Sequence, residues 1–212
     1  MTIHWKAIVQ DDSSIPATEA TLKEKATLVG RIGLMMLSVG TGAWRVRNSM
    51  NKVSRCLGIT CTADIGLLAI SYTCIEGTDT YTQSISLPTT GVNTHKLMEL
   101  ELFIKEFPDK VSTCSVKHIH EVLDEIQKFP ANYKAWNLGL ASALACGAFT
   151  FLLGGGPVEM CCAFLGAGVG NFVRKKMLGH SISLLANVAV SVAASCLVYV
   201  LTILLAQSLL SV

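Results

Sequence analysis

Ser183, Asn187, Ser191 and Ser195 recur every four residues inside an otherwise apolar stretch, and Ser142, Cys146 and Thr150 repeat that spacing upstream. A four-residue step places side chains along one face of a helix. Hydroxyls and an amide aligned in this way can pass hydrogen bonds to a small polar solute; equally, small polar residues can hold membrane helices together. One acid, Glu159, stands two residues after Pro157. A carboxylate there suits the positive end of a helix dipole and can also carry a proton or meet a solute at the mouth of a path. Gly166 and Gly170, with Gly168 between them, have the GxxxG spacing that lets two helix backbones approach closely. These glycines do not read as a phosphate loop, because no Gly-Lys-Ser/Thr follows them.

The elements that must carry these residues are set by charge. From Ala135 to Val212 the chain has four charged residues, Glu159, Arg174, Lys175 and Lys176, whereas residues 1–134 hold fourteen basic and fourteen acidic ones. The tail therefore reads as a bilayer segment and the first part as one modest soluble domain. About twenty apolar residues cross the hydrocarbon core, and the tail offers three such stretches, expected at 136–153, 158–173 and 180–206. The first ends at Gly154-Gly155-Gly156-Pro157, and a short basic loop, Arg174-Lys175-Lys176, is expected between the second and third. The third stretch stays uncharged to Val212, so it tilts, protrudes or breaks. With Lys128 and Lys134 before the first span and the basic triplet after the second, residues 1–134 fall on the cytoplasmic side of a multi-pass plasma (inner) membrane protein.

The soluble half has helical periodicity over Thr18–Val39, with Leu22, Ala26, Val29, Gly33 and Met36 on one face, and over Ala43–Leu57. The second helix carries Arg45, Arg47, Lys52 and Arg55 and no acid, a pattern that suits a solvated face, anionic lipid or an anionic solute. Strands are expected at 59–63, 67–75 and 80–87, with a hairpin at Glu76-Gly77-Thr78-Asp79, and helical spacing returns in Leu97–Phe107 and Val116–Ile126. The fold class is thus an α+β domain, with helices on either side of a meander, followed by a transmembrane helical bundle of about three spans.

Several functions are disfavoured. The balanced charge gives no footprint for nucleic acid. Eight cysteines form no CxxC pair, and His118 and His120, two residues apart on a helix, point in different directions, so neither a metal site nor a cofactor is expected. No Ser/His/Asp or Cys/His arrangement can be read, and the chain is not expected to be an enzyme. The first twenty residues lack the pattern of a secretory signal peptide.

The order of elements resembles the N-terminal portion of the bacterial threonine/serine exporter family. The resemblance is carried by Gly42-Ala43-Trp44-Arg45-Val46 leading to Leu57-Gly58, Gly91-Val92-Asn93 before Leu97, Phe129-Pro130 with Tyr133 and Trp136, and Gly154-Gly155-Gly156. It implies a cytoplasmic domain joined to a membrane bundle that exports small polar solutes, either hydroxy amino acids or, in a two-component branch, dicarboxylates such as succinate. Members usually carry further spans with a Pro-Gly and then a Pro-Leu-x-Asn-Ala stretch, and here no proline follows Pro157. The expectation is a piece of a longer transporter or one half of a split exporter, working with a second small membrane subunit or as a homo-oligomer. The competing expectation is a membrane-anchored ligand-sensing or regulatory protein, tethered and dimerised by its spans.

Overall fold

The computed structural model describes residues 5–9, 15–88, 90–129, 134–177 and 183–210. Pro130, Tyr133 and His180, on which parts of the sequence reading fell, lie outside them. The chain divides into two compact units, Met1–Ala131 and Asn132–Val212.

In the first unit, α1 (Leu22–Ser38) starts at a capping box in which Thr21 Oγ1 accepts from Glu24 N and Glu24 Oε2 accepts from Thr21 N at 3.0 Å. It is followed by α2 (Ala43–Cys56), an antiparallel meander of β1 (Thr60–Ile65), β2 (Ala69–Glu76) and β3 (Asp79–Ser86), then α3 (Thr94–Lys110) and α4 (Val116–Lys128). Gly77, at φ +60°, makes the tight β2–β3 turn, a conformation that side-chain-bearing residues rarely adopt. One face of the sheet is buried through Cys61, Ile70, Tyr72 and Cys74; on the other, the hydroxyls of Ser71 and Ser84, and of Thr73 and Thr82, bond across the strands at 2.9 Å.

Sequence spacing assigned α1 one apolar face, but the fold buries fourteen of its seventeen residues, because α2, α4 and two strands close around it. Its glycines make this possible. A Cβ on Gly30 would lie 2.2 Å from the Tyr72 hydroxyl oxygen, and one on Gly33 would meet the Met50 sulfur at 2.5 Å. The two cations buried along α1 are paired: Lys25 with Glu76 at 2.6 Å, and Arg31 with Asp124. Burial without those partners would be strongly unfavourable.

The second unit contains α5 (Ala135–Leu152), α6 (Pro157–Met177) and α7 (Leu184–Leu210), with α6 packed against both others. Gly154, at φ +88°, ends α5, and Gly155 N donates back to Thr150 O at 2.9 Å. Among the described residues two helices are long and apolar enough to cross a membrane, α5 and the Leu184–Ser208 part of α7. The basic triplet Arg174-Lys175-Lys176 corrects the expected loop: it forms the last turn of α6, where cations favour the negative end of the helix dipole.

Candidate functional site

The polar residues of the second unit gather in two seams, one on each side of α6. On the α7 side, Gly166 and Gly170 face Ser191, Ser195 and Tyr199. A Cβ on Gly166 would lie 2.9 Å from Ser195 O, and one on Gly170 would lie 3.1 Å from Ser191 O, so the helices meet backbone to backbone, as GxxxG spacing allows. Asn187 and Ser191 are buried in this seam. Asn187 Nδ2 donates to Arg174 O at 3.3 Å, and Asn187 Oδ1 is buried with no hydrogen-bond partner among the described residues. Ser191 Oγ donates to its own helix at Val188 O, 2.9 Å away. Ser183 is exposed and caps α7 by accepting from Ala186 N.

On the α5 side, Gly139, Ala143 and Gly147 form a stripe of small residues against Gly168, Phe172, Met160 and Phe164. Next to it Asn171 Nδ2 donates to Ser142 Oγ, joining α6 to α5. Thr150 Oγ1 donates to Cys146 O within α5 at 2.9 Å. Glu159 stands in the first turn of α6, half-buried, with a carboxylate oxygen 2.7 Å from where a Cβ on Gly156 would project. The structure thus brings Asn187, Ser191 and Ser195 together against α6 and Ser142 against Asn171, while Glu159, Thr150 and Ser183 are placed at or near helix ends. Asn171 escaped the sequence reading, although an amide beside a glycine in an apolar run is a visible signal.

Asn187 and Ser191 also explain how α7 differs from a helix folded in water. Its buried side chains are polar, and its leucines face outward, with Leu185 76% and Leu197 61% exposed. A helix with polar groups inside and apolar groups outside suits a hydrocarbon solvent.

In the first unit the family-like positions converge at one junction. Gly42 is the N-cap of α2, Ala43 its first residue, and Arg45 bridges to Glu101 of α3 at 3.2 Å. Gly91 N and Asn93 N donate to Ser38 O and Val39 O at the end of α1, and Asn93 Oδ1 caps α3 by accepting from Lys96 N at 3.1 Å. These residues hold three helix ends together.

A second cluster in this unit was missed by the sequence reading. Arg31 Nη1 donates to His120 O at 2.9 Å and lies 3.1 Å from His120 Nδ1, and its other nitrogen pairs with Asp124. Trp5 stacks on the His120 ring at 4.9 Å. Burial, reinforced by the Arg31 charge and opposed by Asp124, pushes the His120 imidazole down to about 3, so it is neutral at physiological pH. Burial likewise lowers Arg31, against the raising effect of Asp124. The signal was a single arginine inside the apolar run of α1. His118, by contrast, is exposed on the same helix, 4.0 Å from Glu121. Among the described residues no group of three or more His, Cys, Asp or Glu is placed to hold a metal ion.

Comparison with known proteins gave one family match, to ThrE, the threonine/serine exporter family, over residues 27–211. No curated protein and no solved structure matched the chain. The match spans both units, and together with the apolar helices α5 and α7 it makes this a membrane protein. The chain belongs to the threonine/serine exporter family.

Proposed function

We propose that the protein is a component of a secondary exporter of small polar solutes, threonine- and serine-like amino acids or dicarboxylates such as succinate. The observation that carries this reading beyond family membership is the buried Asn187 Oδ1, an acceptor with no partner among the described residues, held between two apolar helices. An unpaired polar atom costs free energy in such surroundings, so its retention favours an intermittent partner: a solute hydroxyl or ammonium, or a water that follows it.

In this reading α6 is the third span. Its 21 residues are about 30 Å long, matching a hydrocarbon core, and it lies between two helices of spanning length. The first unit is then cytoplasmic, with the basic end of α6 on the same side. Three helices are too few to screen a polar path from lipid, so a small second membrane subunit or further copies of the chain complete it. An apolar groove of about 250 Å³ on the α5–α6 face, floored by Gly139 and Gly168 and walled by Trp136, Phe164 and Phe172, offers a seat for a helix of that partner. Glu159 is the candidate proton carrier.

Efflux of labelled threonine, serine and succinate from cells expressing the chain, alone and together with any small membrane protein encoded beside it, tests the reading. Export of at least one solute is expected, reduced by Asn187→Leu, with Glu159→Gln altering its pH dependence. Absence of efflux in both settings would overturn the transport role. The close α6–α7 packing that absorbs Ser191 and Ser195 favours one alternative in that event, a membrane-anchored ligand-sensing protein whose spans serve as tether.

A further inference from the structure

We infer that the outer face of α2 is a docking surface for an anionic lipid leaflet. This goes beyond solute export and rests only on the chain's being held in a bilayer with its first unit beside it. Helix α2 turns Val46, Met50 and Val53 into the core, which leaves Trp44, Arg47, Asn48, Lys52 and Arg55 outward along one side. Trp44 is 64% exposed although it is the largest apolar residue of the helix. None of the described residues of the unit buries it; its ring is flanked by the Arg45 guanidinium at 5.5 Å, and Arg45 is itself neutralised by Glu101.

The remaining cations are available to a partner. Arg47 commits only its Nε, donating to Ala63 O at 3.2 Å, and among the described residues Lys52 and Arg55 have no acidic partner. The helix itself contains no acid. An exposed tryptophan at one end of a basic, acid-free stripe matches the two layers of a membrane surface. Indole rings settle at the headgroup boundary, and each cation within a Debye length of anionic lipid adds roughly fivefold to surface affinity. A soluble anion would use the cations and leave Trp44 without a role, whereas a leaflet uses both. Tethering removes most of the entropic cost of association, so even a weak surface contact persists.

The test uses the full chain in proteoliposomes of zwitterionic or phosphatidylglycerol-containing lipid, brominated high on the acyl chains, with tryptophan quenching as readout. The Trp44 contribution is the difference between the wild type and Trp44→Phe; the Trp136 contribution is the difference given by Trp136→Phe. Docking predicts that Trp44 is quenched in anionic but not in zwitterionic vesicles, and that quenching is lost in high salt and in the Arg47→Gln/Lys52→Gln/Arg55→Gln variant, whose changes are all on the surface. Trp44 quenching that is absent in anionic vesicles, or equal in both lipids, overturns the inference. The Trp136 signal separates the two failures: if Trp136 is quenched and Trp44 is not, docking is wrong; if neither is quenched, the membrane placement of α5 is wrong as well.

Discussion

Helices α1 and α7 are both long and apolar, but they arrange their residues in opposite senses. In α1 the apolar side chains are inside and even Lys25 and Arg31 are drawn in, each with an acid partner. In α7 the leucines face outward and, among the described residues, Asn187 and Ser191 are the buried ones. The first is organised against water, the second against lipid, where apolar burial supplies little drive and contact comes from small residues and close backbones. The glycines show the same contrast: Gly30 makes room for a tyrosine ring in a filled core, and Gly170 makes room for another helix's backbone.

The largest test of this contrast is a pair of truncations. Leu28→Ala, at a fully buried site in α1, should destabilise the first unit by about 3 kcal/mol, while Leu197→Ala in α7 should change bundle stability by less than about 0.5 kcal/mol. Thermal unfolding and limited proteolysis in detergent read both. A large effect at Leu197 would break the comparison by showing that the outer face of α7 is covered by protein.

A smaller effect concerns acid. Because the folded unit holds His120 neutral down to about 3, an unfolded chain binds a proton below the ordinary histidine value of 6.5 that the folded chain does not. Stability due to this group is fully present above 6.5 and falls as pH drops from there towards 3, by about 2 kcal/mol at pH 5. Chemical denaturation at pH 7 and pH 5 should show the loss, and His120→Gln should remove much of the pH dependence. An unchanged slope in that variant would assign the acid sensitivity to other groups.

A small effect is also expected in the α6–α7 seam. Asn187→Leu deletes a single 3.3 Å hydrogen bond and an oxygen without a partner, so bundle stability should shift by no more than about 1 kcal/mol, read by unfolding in mixed micelles. A loss of several kcal/mol would mean that the amide has a structural partner in the assembly.

Much of this was legible in the residues. The near absence of charge after Ala135, the glycine turns and the two periodicities located the helices, the hairpin at Gly77 and the GxxxG contact. Local signals did not reveal the Asn171–Ser142 link or the Arg31–His120–Asp124 cluster, because their members lie 29 and up to 93 residues apart. The basic triplet after Val173 marks where hydrocarbon-compatible residues end, not where the helix ends, because a helix continues as long as its backbone bonds and dipole favour it.

By itself, the sequence determined which segments are apolar, where the chain can turn and which family it belongs to, since these depend on composition and on spacing between neighbours. Only the tertiary structure decided which side of each helix is inside. In α1 burial extended all round because two helices and two strands close on it, and in α7 the polar side turned inward because α6 presents glycines there. Helical periodicity defines a face, but the surface that meets it comes from residues far away in the chain.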